Sequence, residues 1–190
     1  MHQPVLVADP AVQPITLPEA KAFCRVDWDD EDGLFGSLIA DAVEHFDGYA
    51  GTLGRCLINQ TWRQDFHCWP ARGVLRLPFP DVSSVTLKYF DTDNAEQTVS
   101  SSLYETLEDA RSAYVHLLDD FTAPNLYDDR DDAVQVTFVA GYGAAASDVP
   151  ADLKTVLKYY VLGLYERSDL AETFMNLAER KAAKYSRVGV

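Results

Sequence analysis

The densest group of possible metal or acid–base ligands in this 190-residue chain is Asp27, Asp29, Asp30, Glu31 and Asp32, followed by Gly33. Acids packed ahead of a glycine suggest a calcium loop, in which glycine holds position six and oxygen ligands hold positions one and twelve. With Gly33 in sixth place, those positions fall on Trp28 and Ile39, so the loop lacks both ligands. The acids suit a helix start better: Asp29, Asp30 and Asp32 are read as caps and as partners of the positive dipole end. The histidines, His2, His45, His67 and His116, share no ligand spacing with one another. His67 and Cys68 are neighbours on a strand-like segment and point to opposite faces, so they cannot chelate together. Cys24, Cys56 and Cys68 form no CxxC pair and read as small apolar residues rather than a disulfide framework, which fits cytosolic synthesis. No nucleophile elbow and no phosphate-binding glycine loop occurs, and Gly141 and Gly143 read as turn glycines after a strand. The reading is of a non-enzyme: no catalytic residue, no metal ligand and no cofactor is expected.

The elements that would carry any site divide into two kinds. Residues 1–15 hold Pro4, Pro10 and Pro14 and read as an extended arm. Thr16 can cap a short helix ending near Arg25, with Pro18 in its first turn and Glu19 at its positive end. A longer helix follows, with Leu34, Phe35, Leu38, Ile39, Ala42, Val43, Phe46, Tyr49, Ala50 and Leu53 on its apolar side, and is expected to stop near Gly51 or Gly54. The period then changes to two. Trp62, Phe66 and Cys68 alternate with Arg63, Asp65 and His67; Val85, Leu87 and Tyr89 with Thr86 and Lys88; Val134, Val136 and Phe138 with Gln135 and Thr137. Shorter strands are expected at 75–77, 97–100, 104–107 and 114–118. Helical spacing returns at Val149, with Leu153, Val156, Leu157, Tyr160, Val161, Leu164 and Tyr165 in one stripe, and a last helix begins near Leu170. The expected fold class is α+β: a frame of about four helices with a small antiparallel β domain, sandwich- or barrel-like, inserted in it. The expected boundaries are 1–58, 59–146 and 147–190.

Charge is unevenly spread. All 30 acidic residues lie within residues 1–179, whereas residues 180–190 carry Arg180, Lys181, Lys184 and Arg187 and no acid. An acidic body at net charge −14 disfavours nucleic-acid binding. The basic end can complement a helix C-terminus, dock on an acidic protein surface or touch DNA. The first ten residues lack a basic, then apolar leader, and the apolar stretch at 156–165 is too short to span a bilayer, so no membrane partner is expected.

Aromatic residues crowd the β region. Most are expected in a core; Phe79, between Pro78 and Pro80, is a candidate exposed interface anchor. An alternative reading is a small monomeric binding module, with Trp62, Trp69 and Phe79 as stacking platforms, or an enzyme using the β domain as a ligand pocket.

Five segments, in order, resemble the head–tail connector (adaptor) proteins of long-tailed bacteriophages and gene transfer agents. They are Leu17, Glu19, Ala20 and Lys21 with Arg25, Val26, Asp27 and the acids after it; Gly54, Arg55, Leu57, Gln60, Thr61 and Trp62; Leu75 to Pro80 with Val82, Ser84 and Val85; Val136 to Gly143; and Val149, Pro150 and, further on, Tyr165, Glu166 and Arg167. The resemblance implies a structural subunit of the head–tail neck in a virion or virus-like particle, assembled in the bacterial cytoplasm. It implies a homo-oligomeric ring of about twelve copies, which needs two different side faces that close head to tail. Its implied partners are the portal protein, the next neck (stopper) protein and double-stranded DNA passing through the lumen without specific binding. The family's C-terminal segment tends to reach the portal, which makes Phe174, Leu177, Arg180, Lys181, Lys184, Tyr185 and Arg187 the candidate portal-binding residues. Asp41, Glu44 and Asp47, on the polar face of the long helix, are candidates for an acidic channel lining that keeps DNA from adhering.

Overall fold

The computed structural model describes residues 2–187. The fold is α+β, with four helices and eight strands in two antiparallel sheets among those residues. The chain forms two compact units: residues 2–10 with 59–141, and residues 11–58 with 142–187.

The first unit contains all the strands. The larger sheet runs β1 (Val5–Ala8), β2 (Gln60–Phe66), β8 (Val134–Ala140), β4 (Val82–Phe90), β5 (Glu96–Thr98). The smaller runs β3 (Val74–Arg76), β7 (Ala113–Leu117), β6 (Tyr104–Glu108), with one 3-10 turn at Ser101–Leu103. Both sheets are open, so neither closes into a barrel. The period-2 pattern sets the register of the larger sheet. Trp62 pairs with Phe138 and Phe138 with Val85; Gln64 pairs with Val136 and Val136 with Leu87. These residues share one face, while Arg63, Thr137 and Thr86 line up on the other. β2 and β8 are in register from end to end, with Gln60 opposite Ala140 and Phe66 opposite Val134.

Phe79 corrects the expectation of an exposed anchor, since it is wholly buried. Its ring lies 5.0 Å from that of Trp62 and 6.2 Å from that of Phe138, and its carbonyl accepts the Ala113 N–H. One side chain thus packs on the larger sheet while its backbone extends the ladder of the smaller. The N-terminal arm is extended, but four of its residues form edge strand β1, antiparallel to β2, with Val5, Leu6 and Val7 exposed and a register shift between Leu6 and Ala8.

The second unit holds α1 (Leu17–Cys24), α2 (Asp32–Phe46), α3 (Ala151–Tyr165) and α4 (Ala171–Ala182). Thr16 and Glu19 form a reciprocal capping box at the start of α1. At its end Arg25 takes a left-handed conformation, and the Val26 N–H bonds back to the Lys21 carbonyl, turning Val26 into the core. One hydrophobic cluster joins Phe35, Ile39 and Phe46 of α2 to Leu153, Val156, Leu157 and Val161 of α3 and to Ala178 and Ala182 of α4.

Helix α2 stops at Phe46, short of the expected Gly51 or Gly54. Asp47 is extended, and its carboxylate accepts the Leu57 N–H at 2.6 Å, which draws the returning chain against the helix end. Gly51 lies in the turn so formed, where a Cβ would sit 2.2 Å from the Asp47 carbonyl oxygen. A similar approach at Gly163, whose added Cβ would meet Met175 Cγ at 2.6 Å, lets α4 lie close on α3.

Phe79→Ala is expected to destabilise the protein by about 3–5 kcal/mol, through lost burial plus the cavity left between Trp62 and Phe138. Chemical denaturation monitored by tryptophan fluorescence checks this; a change below about 1 kcal/mol contradicts the packing described.

Candidate functional site

The acids between α1 and α2 do not cap α2. Its N-cap is Glu31, which makes no capping bond. Asp29 and Asp32 grip Lys21 instead, with Nζ–Oδ1 distances of 2.8 Å and 2.5 Å. Lys21 is only 8 % exposed, and the two carboxylates answer the cost of burying its stem and charge. The hydrogen bonds that its ammonium donates to Asp29 and Asp32 hold it above the usual lysine range, and Lys21 in turn holds the Asp29 carboxyl below its own. At the same end of the unit, the Tyr165 hydroxyl donates to Glu31, and its ring packs against Phe35. These contacts bring the end of α3 to the start of α2. Eight carboxylates and one arginine lie in residues 27–34 and 165–172.

The opposite end of the helical unit gathers the basic residues of the C-terminal segment, with Asp152 and Glu179 among them. Lys184 pairs with Asp152 at the start of α3, and the Arg187 N–H donates to the Leu53 carbonyl. His45, near the end of α2, stacks on Tyr160 with ring centroids 4.5 Å apart and pairs with Glu179 of α4. The C-terminal candidates therefore divide. Phe174, Leu177, Tyr185 and Arg187 are half-buried, while Arg180 and Lys184 are exposed and Lys181 is half-buried between them. Helix α4 within this segment packs on the rest of the unit, because Ala178 and Ala182 are small enough to enter the core.

The three candidate channel acids also separate. Asp41 and Glu44 are exposed on α2, whereas Asp47 is half-buried and holds Leu57. Nothing in the one-letter pattern marks Asp47 as structural; its partner lies ten residues on, in a turn whose path depends on packing.

A cleft of about 340 Å³ is lined by His67, Trp69, Tyr127 and Arg130 among others. Trp69 is committed there: its indole N–H donates to the Pro124 carbonyl and its ring packs on Phe121 and Tyr89. Trp62 and Phe79 are buried, so they are not stacking platforms. Among the described residues, no group of three or more His, Cys, Asp or Glu is placed to hold a metal ion. Among the same residues, no helix is long and apolar enough to cross a membrane. Burial pushes the Cys24 thiol up to about 11, which leaves it unreactive at neutral pH.

These roles are separable by mutation and by pH. Asp47→Ala is expected to cost about 1–3 kcal/mol by orphaning the Leu57 N–H, while Asp41→Lys with Glu44→Lys leaves the melting temperature nearly unchanged. Equal effects in a thermal melt contradict the assignment. The folded Asp29 carboxyl titrates below its unfolded value of about 3.9, so its contribution is full above that value and is lost as the pH falls through the folded one. Hydrogen exchange, corrected for intrinsic rates, is expected to show residues 27–32 loosening between about pH 5 and pH 2 and unchanged up to about pH 9. Loosening in the alkaline limb alone contradicts the role given to Asp29.

The phage gp6-like head-tail connector family matches residues 14–119, more than half of the chain. No curated protein is similar enough in sequence to count as a relative. Among solved structures, the fold is similar to a chain of the virion of the native gene transfer agent particle, at 20 % identity and a TM-score of 0.80, covering 100 % of this chain and 97 % of that one. A chain from the neck of the empty particle, computed with C6 symmetry, gives the same values. A chain from the neck of the native particle, computed with C12 symmetry, has 22 % identity and a TM-score of 0.72, covering 98 % and 97 %. The chain belongs to the phage gp6-like head-tail connector family and is a structural rather than a catalytic protein.

Proposed function

We propose that this chain is the subunit of a homo-oligomeric ring in the neck of a phage or gene transfer agent particle, seated beneath the portal and joining it to the next neck protein. The observation that carries the reading is the family match across α1, α2 and most of the β unit, supported by whole-chain similarity to neck chains in particles treated with C6 and C12 symmetry. The physical character of the molecule suits the role. Its helical unit offers two unlike ends, one crowded with carboxylates and one holding the basic C-terminal residues, and a ring that closes head to tail requires two unlike surfaces. Its acidic body is suited to letting DNA pass without adhering, with Asp41 and Glu44 the exposed α2 carboxylates available to a channel wall. Only charges within about 8 Å of passing phosphates act at physiological salt.

The test is a particle made without this chain. Electron microscopy is expected to show filled heads lacking ring density below the portal and lacking tails, both restored by the chain supplied in trans. Particles that keep a complete neck in its absence overturn the proposal.

A further inference from the structure

The helical unit carries a cleft at one end and a surface that fits it at the other. The cleft runs beside α1, has a volume of about 550 Å³, is floored by Leu17, Ala22 and Val26, and is rimmed by Asp27, Asp29 and Asp32, with Lys21 and Arg25 also in its lining. Leu17 is shared with a second cleft of about 580 Å³, lined chiefly by apolar and small side chains such as Ile15, Gly36 and Ile39. Asp29 and Asp32 are engaged with Lys21. Asp27 and the neighbouring Asp30 are exposed and make no ion pair within the described residues. The indole of Trp28, between them in sequence, is 48 % exposed.

The far end of the unit carries the basic residues of the C-terminal segment. Helix α2 leads away from the cleft for 15 residues, about 22 Å. Beyond its last turn Tyr49 is 48 % exposed. The same end presents exposed Arg180 and Lys184, with Lys184 paired to Asp152 at the start of α3, and no carboxylate occurs within residues 180–187. Long basic side chains suit an apolar cleft with an acidic rim: the methylene stems cover the floor while the charged heads reach the carboxylates. Asp27 and Asp30 of two copies repel each other, as do Arg180 and Lys184 of two copies, so these residues favour contact between unlike patches.

We propose that the α1 cleft of one copy receives the basic end of α4 from the next copy, repeating head to tail around the assembly. The proposal rests on the neck-ring reading above and assigns that ring its contact. The matching surface for the cleft is on this same chain, which is why a second copy is chosen as occupant. The contact joins unlike patches, so it propagates and closes when the rotation per copy permits. Salt weakens it, because the charges sit at exposed rims.

A charge exchange tests it in particles complemented with variants. One variant carries Asp27→Lys and Asp30→Lys, a second Arg180→Glu and Lys184→Glu, and a third all four; melting temperatures establish that each folds. Each double variant is expected to lower the yield of tailed particles and the amount of this chain in their necks by about tenfold or more, and the fourfold exchange to restore both. Failure of the folded fourfold variant to restore them overturns the proposal, as does wild-type assembly by either double variant. Loss confined to the Arg180 and Lys184 variant, unrescued by the exchange, instead assigns the basic end to another partner such as the portal. Intact necks without the chain would refute the neck-ring reading itself, a result separate from all of these.

Discussion

The pairing of β2 with β8 is the constraint on which the rest of the structure depends. Residues 11–58 and 142–187 build one hydrophobic core, yet the whole of residues 59–141 separates them in the chain. A flexible loop of that length carries a closure cost that grows with the logarithm of its size. The β unit removes most of it by its own folding, because Gln60 and Ala140 are cross-strand partners at the two ends of the insertion. Antiparallel partners lie about 5 Å apart at Cα, so the chain leaves the helical unit and returns to it almost at one point. The ladder from Gln60–Ala140 to Phe66–Val134 therefore acts as a clamp.

Much of this is legible in the sequence because it depends on period. Alternation in β2, β4 and β8 marks both the strands and the face each residue takes, and the spacing of apolar residues marks α2 and α3. The capping box at Thr16 and Glu19 is readable because both partners fall within one turn. What escapes depends on contacts distant in the chain. The acids Asp29 and Asp32 fit a cap by type and position, but Lys21, eight and eleven residues earlier, takes them once α1 folds back. Phe79 between prolines looks exposed because its neighbours break strands; it is buried because those breaks aim it between two sheet residues. The apolar stripe of α2 continues through Tyr49 and Leu53, and only the Asp47–Leu57 hydrogen bond shows why the helix gives way to a turn.

The candidate surfaces follow the same division. Composition reveals the contrast between an acidic body and a basic end. The antiparallel run of α3 and α4 gives that contrast a geometry: Tyr165 meets Glu31 at one end, and Lys184 meets Asp152 at the other. The helical unit is thereby polarised along its length, and its exposed charges add to the field of the helix termini within the outer turns. The Asp29–Lys21–Asp32 group also shows that an acidic run can be partly committed to internal architecture, leaving fewer carboxylates for partners than the sequence suggests.

The edge strand β1 has a consequence for how the protein behaves in concentrated solution. It presents Val5, Leu6 and Val7 at an open sheet border, the kind of seam onto which a foreign strand can zip. Pro4 and Pro10 bracket the four-residue segment, and the slip in register between Leu6 and Ala8 twists what remains. An intruding chain finds only a short run of aligned backbone before the template ends. The border limits its own growth, which protects against fibrous association a molecule that carries a sticky, greasy margin.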